Sequence, residues 1–185
     1  MKTNEIPERL SAIRQFMEEN NLDVFIVPST DAHLSEYPPK HWESRKWISG
    51  FTGSAGTAVV SKKKAGIWTD SRYFLQAADE LKDTGFELFK MGQPDTPDMT
   101  DWVIAQAGKG GIVGIDGLVY AASEAKALNA KLEAKGIRLD TSLDPFAAIW
   151  LNRPEIPKNK IFTLPDTITG ESAKDKIKRI NAELK

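Results

Sequence analysis

Cysteine is absent from the 185 residues. Its absence removes disulfides, thiol nucleophiles and thiolate metal sites together, and it fits a reducing compartment. Histidine is nearly absent: His33 and His41 are the only two, which leaves few schemes for general-base or metal chemistry. Long apolar runs are missing too. The longest is Phe146 to Leu151, far short of the ~20 residues a membrane-spanning helix needs. Neither sign of charge dominates, with 25 Lys and Arg against 26 Asp and Glu and a net charge of −1. Nucleic acid and anionic membranes, which call for a basic excess, are therefore not expected as partners. Disorder through charge excess is not expected either. Met1 to Asn20 carries Glu5, Glu8, Glu18 and Glu19 and no apolar core. It does not read as a secretory signal, and the cytoplasm is the expected location.

Apolar side chains are 41% of the total, enough for a proper core. At ~150 residues per domain the length allows one domain and a remainder. Ile6, Leu10, Ile13 and Met17 recur on one helical face after Pro7. Val24 to Val27 reads as a short buried strand. Thr30 to Tyr37 reads as a turn and a short helix broken by Pro38-Pro39, and Arg45 to Ile48 as a helical turn. A loop of small residues, Ser49 to Gly56, then enters strands at Thr57–Ser61 and Ile67–Thr69, with Lys62 to Gly66 as a polar hairpin turn. Asp70 and Ser71 cap a predicted helix whose face is Phe74, Ala77, Ala78 and Leu81, and Gly85 ends it. Phe86–Met91 is the next strand. Thr96-Pro97-Asp98 opens another helix, with acids in its first turn. Ile112–Ile115 is a strand, Ser123 caps a helix with Ala125, Leu128 and Leu132 inward, Ile137–Leu139 is the last strand, and Asp144-Pro145 starts a short helix. Strands alternating with helices give an α/β domain. The hairpin makes its sheet mixed, flanked by helices.

Past Arg153 the texture changes. Pro154, Pro157 and Pro165 space out a segment of little periodicity, which reads as a linker. Ser172 then caps a last helix with Ala173, Ile177, Ile180 and Leu184 on one face. Either that helix docks back on the domain, or it opens a second domain that the chain cuts short. On the latter reading the division is 1–152, a linker at 153–170, and a first helix at 171–185.

Generic chemical motifs are weak here. Gly50, Gly53 and Gly56 match neither the dinucleotide fingerprint nor a P-loop, and they read as a tight structural loop. Gly53-Ser54-Ala55-Gly56 lacks the nucleophile-elbow pattern, and any base for Ser54 would have to be His33 or His41. Those two histidines are separated by two prolines and share no helical face with a carboxylate, so no catalytic metal site is expected. The five tryptophans are scattered and read as core or interface anchors.

Longer strings say more. Pro28-Ser29-x-Asp31-Ala32-His33-x-Ser35-Glu36-Tyr37 comes first, then Ser49-Gly50-Phe51-x-Gly53-Ser54-Ala55-Gly56-Thr57-Ala58. Trp68-Thr69-Asp70-x-Arg72-Tyr73-Phe74-Leu75-Gln76-Ala77-Ala78 follows, then Met91-Gly92 with Asp95-Thr96-Pro97, and Ile149-Trp150 with Arg153-Pro154. In order and spacing these resemble the N-terminal region of the X-prolyl aminopeptidases (aminopeptidase P) of the large three-domain type. The resemblance implies a creatinase N-terminal domain. It also implies a parent enzyme that removes an N-terminal residue when proline is second. In that family a C-terminal "pita-bread" domain holds two metal ions, usually Mn²⁺, through two Asp, one His and two Glu; this chain contains none of it. The chain is then expected to be non-catalytic and without a metal of its own, and to help dimerisation and substrate access. Homodimers are common in the family, and loops of this domain can approach the neighbouring subunit's active site. Arg72 is the residue on which that resemblance places a substrate contact, a local ion pair with Asp70 being its other reading. A free-standing binding or dimerisation module of the same fold is the alternative for the whole chain.

Overall fold

The computed structural model describes residues 5–184. The readings that touch Met1–Asn4 and Lys185 lie outside the described residues.

Helix α1, Ile6–Glu19, forms because its apolar residues recur on one stripe and Pro7 sits in its first turn; Ile6, Leu10, Ile13 and Met17 are buried. Strand β1, Val24–Val27, is buried on both faces. The segment from Thr30 to Tyr37 holds no helix. Instead the buried Asp31 accepts the backbone N–H groups of His33 and Ser35 at 2.9 Å each, closing a turn, and Leu34 takes a φ of 56°. A short side chain that bonds its own backbone competes with helix, and here the turn wins.

After a 3₁₀ turn at Lys40–Trp42 comes α2, Ser44–Ser49, ended by Gly50 in the left-handed conformation (φ 79°). Strands β2, Thr57–Ser61, and β3, Ala65–Thr69, form a hairpin whose turn is shorter than the sequence suggests. Ala65 and Gly66 lie in β3, opposite Val60 and Val59. Gly66 belongs there because a side chain on it would enter the ring of Phe89. Asp70 caps a 3₁₀ turn, Ser71–Tyr73, which leads into α3, Phe74–Glu80. Ala77 and Leu81 are buried on this side, whereas Ala78 is exposed. Strand β4 is Glu87–Lys90 and α4 is Met99–Ala107, with Asp98 accepting Thr100 N at 2.8 Å as its cap. Strand β5 is Ile112–Ile115 and α5 is Ala122–Glu133. Ser123 lies inside α5 and caps nothing; Ala121 holds the cap position. Strand β6 is Arg138–Asp140 and α6 is Pro145–Ile149.

The sheet is mixed, in the order β4-β3-β2-β1-β5-β6. β2 runs antiparallel to both neighbours, while β4 pairs with β3, β5 with β1 and β6 with β5 in parallel. Side-chain alternation splits the core into two layers. Phe25, Val27, Val60 and Ile67 pack under α1, α2 and α6 with Ile13, Ile48 and Phe146. Val24, Ile26, Val59 and Val113 face Trp102, Val103, Leu128 and Leu132 from α4 and α5. Gly114 admits the ring of Phe25 on the first side; an added Cβ would stand 2.6 Å from Phe25 Cδ2.

Arg153 and Pro154 are tied to this body: Arg153 Nε donates to His41 O at 2.9 Å, and His41 Nδ1 meets Pro154 O at 2.6 Å. Beyond them no residue from Glu155 to Leu184 is buried. That stretch contains a short α7, Asp166–Thr169, and α8, Ala173–Glu183, whose cap Ser172 accepts Asp175 N at 3.1 Å. Ile177 and Leu184 on its apolar face are 60% and 79% exposed.

Candidate functional site

Arg72 stands where β3 leaves the sheet. Thr69 ends the strand with its hydroxyl donating to Ala55 O at 2.6 Å, so the glycine loop and the strand end are joined. Asp70 then accepts three hydrogen bonds from Arg72: backbone N at 3.0 Å, Nε at 2.9 Å and Nη2 at 2.8 Å. The guanidinium presents its planar fork to the carboxylate. Both readings of Arg72 thus start from a real local ion pair. The Arg72 hydrogen bonds hold the Asp70 carboxyl below the usual carboxylate range, and the same bonds raise the guanidinium's own pKa, with the nearby charge of Glu36 adding to the effect. The pair is open to solvent: the Arg72 side chain is 64% exposed, and its Nη1 makes no hydrogen bond among the described residues.

Tyr73 supports the group from below. Its ring lies 5.2 Å from the Arg72 guanidinium carbon, and its hydroxyl meets Ser54 Oγ at 2.7 Å. Ser54 therefore has a phenol as partner and not an imidazole. Among the described residues neither histidine ring bonds Ser54: the His41 ring meets Pro154 O, and His33 is held by its backbone N–H on Asp31. The nucleophile–base arrangement a serine hydrolase needs is not assembled. Three N–H groups at the start of the glycine loop are already engaged within the domain. Gly50 N donates to Lys46 O, Phe51 N to Ser49 Oγ, and Thr52 N to Glu80 Oε2. Beside the loop lies a cleft of about 250 Å³ lined by Ser29, Glu36, Tyr37, Trp42, Arg45 and Ser54.

The chemistry on offer is donation of hydrogen bonds from the Arg72 guanidinium and from one hydroxyl of the Ser54–Tyr73 pair, the other being the donor within that pair, at an exposed rim. Such a rim can hold a carbonyl or carboxylate oxygen. Among the described residues no three His, Asp or Glu side chains come together as ligands. Nothing local in the sequence marks Glu36 or Tyr73 as site residues. For Arg45 a signal existed. Its spacing from Ile48 and Ser49 puts it on the inner face of α2, where a charged residue is unusual.

A model of the creatinase/prolidase N-terminal domain family matches residues 9–145. Over its whole length the chain is 42% identical to a probable Xaa-Pro aminopeptidase P of Pyricularia oryzae, and over 94% of it 41% identical to Xaa-Pro aminopeptidase 2 of Rattus norvegicus. It spans only 30% and 26% of those two proteins. Its fold superimposes over its full length on the X-prolyl aminopeptidase of Caenorhabditis elegans, a cytosolic enzyme with a di-nuclear active site. The TM-score is 0.84 at 27% identity, and the match covers 31% of that chain. By the match over residues 9–145, with the mixed sheet and two helical layers that accompany it, the chain belongs to the creatinase/prolidase N-terminal domain family.

Proposed function

We propose that this chain is the non-catalytic N-terminal portion of a metal-dependent Xaa-Pro aminopeptidase, a hydrolase that removes a residue preceding proline. The observation that carries the reading is the match, over 94–100% of the chain, to proteins of that name of which it spans only 26–30%. Two divalent metal ions, manganese by the family resemblance, would be bound by residues outside this chain. The whole protein acts in the cytoplasm as a homodimer. Among the described residues no helix is long and apolar enough to cross a membrane. Residues 171–184 form the first helix of a second domain, which the bare apolar face of α8 supports. Within this reading Arg72 reaches across the dimer to the peptide bound by the partner subunit. Its solvent exposure and free Nη1 favour that role, and the Asp70 ion pair holds it ready.

The test is a comparison of this chain with the protein encoded by the gene read past Lys185. The longer protein is expected to cleave an X-Pro peptide with Mn²⁺ present. The chain alone is expected to show neither cleavage nor saturable binding of Mn²⁺ by calorimetry, because two-metal catalysis needs a carboxylate and histidine cluster with an open position. A stop codon directly after Lys185, or a continuation without such ligands, would favour a free-standing binding or dimerisation module instead.

A further inference from the structure

Arg45 is a buried cation without a carboxylate partner. It is 6% exposed, and none of the ion pairs among the described residues includes it. Burial lowers its pKa to about 10, opposed by the charges of Glu80 and Glu43, so it stays protonated at neutral pH. What it holds instead are two carbonyls of the glycine loop. Nη1 donates to Phe51 O at 3.1 Å, and Nη2 donates to Gly53 O. Its Nε is buried and has no hydrogen-bond partner among the described residues. The side chain thus grips the loop through two of its carbonyls, and a guanidinium fork suits that two-point hold.

The grip leads to Tyr73 along two routes. The guanidinium carbon lies 4.8 Å from the ring of Phe51, whose edge meets the ring of Tyr73 with centroids 6.0 Å apart. Gly53 lies so close to the same ring that an added Cβ would stand 2.7 Å from Tyr73 Cδ1, and the next residue, Ser54, meets the Tyr73 hydroxyl at 2.7 Å. Tyr73 in turn lies under Arg72. We infer that Arg45 is a positioning residue: by fixing the carbonyls of Phe51 and Gly53 it sets Ser54 and Tyr73, and through them the place of the Arg72–Asp70 turn. Its link to catalysis rests on the substrate role proposed above for Arg72. The positioning itself does not.

Hydrogen exchange followed by mass spectrometry on the 185-residue chain decides the matter. The amides of Arg72 and Tyr73 are held by Asp70 Oδ1 and Asp70 O, so their exchange reports the persistence of the turn. In Arg45→Met the amides of 50–54 and of 71–73 are expected to exchange about tenfold faster, as loss of loop hydrogen bonds allows, with β1 and β2 unchanged. Arg45→Lys, which keeps the charge but not the fork, is expected to restore part of the protection. Should Arg45→Met fail to fold, Tyr73→Phe tests the same chain further along: 71–73 should loosen while 50–53 stays protected. Loosening of 50–54 alone, uniform loosening of the domain, or a Tyr73→Phe turn as protected as the parent's would each overturn the inference. In the whole enzyme, Arg45→Met should lower kcat/KM on an X-Pro peptide in the parent but add nothing to Arg72→Ala. An equal loss in both backgrounds would also overturn it. If Arg72→Ala leaves kcat/KM unchanged, the substrate role of Arg72 falls, and the exchange result still decides the positioning.

Discussion

Asp31 and Asp70 each build a turn that the site uses. Asp31 is 1% exposed. Burial pushes its carboxyl up, but the N–H groups of Ser35 and His33 outweigh this and hold it below its usual value. A carboxyl whose pKa is depressed on folding contributes stability that is complete above its unfolded pKa, ~3.9, and is lost as pH falls from there through the folded value. Urea midpoints of the chain should therefore fall below about pH 4. Asp31→Asn should remove part of that dependence, and at neutral pH it should cost about 1.5–3 kcal/mol, the range for hydrogen bonds to a charged group. An unchanged slope below pH 4 would deny Asp31 this part. At the same scale, Arg72→Ala in the whole enzyme is expected to lower kcat/KM on an X-Pro peptide about ten- to a hundredfold. Thermal melting and sedimentation should match the parent, because the side chain is exposed. Unchanged kinetics would leave Arg72 as a local partner of Asp70.

Element by element, what could be read from the sequence was what depends on periodicity and on nearby capping chemistry. α1 was legible from four apolar residues on one stripe, β1 from its unbroken apolar run, and α6 from Asp144-Pro145, where Asp144 accepts Phe146 N at 2.9 Å. The misreadings share a cause. Thr30–Tyr37 has helix-compatible residues, yet a buried aspartate recruits its N–H groups, and burial of Asp31 depends on the tertiary fold. Gly66 resembles a turn residue until the ring of Phe89 is in place above it. Ser123 resembles a cap, but the chain enters α5 two residues earlier than a cap there would require. The site was half legible: Arg72 and Asp70 are neighbours in sequence, whereas Arg45 and Tyr73 are joined only through the folded glycine loop. Packing gives a check at this scale. Gly114→Ala would push a methyl into the ring of Phe25 in the middle of the sheet, and overpacking of that kind costs about 1–3 kcal/mol. Denaturant midpoints should show the loss, and a neutral result would mean that β5 and β1 can separate without strain.

Across the whole molecule the sharpest contrast lies at Pro154. Before it, α1 and α6 pack together on one face of the sheet, and Arg153 is pinned by an ion pair to Asp144 at 2.5 Å as well as by His41 O. After it, no described residue is buried, and Ile161 and Phe162 are 100% and 80% exposed. Helix α8 spans 11 residues, a length at which an isolated helix is marginal in water. Its Ser172 cap and the Arg179–Glu171 pair at 3.1 Å are local, and an exposed pair contributes little. The stability of the chain therefore resides almost wholly before residue 155. Limited proteolysis should cut first within 155–170, and the product ending near Pro154 should melt at the temperature of the intact chain. In the longer protein the same bonds should resist the protease, because a second domain would cover α8 and order the segment leading to it. Early cleavage inside the Lys62–Lys64 turn or the glycine loop would place the weak point within the first domain. Equal cleavage of 155–170 in the long and short forms would mean that α8 has no domain to join.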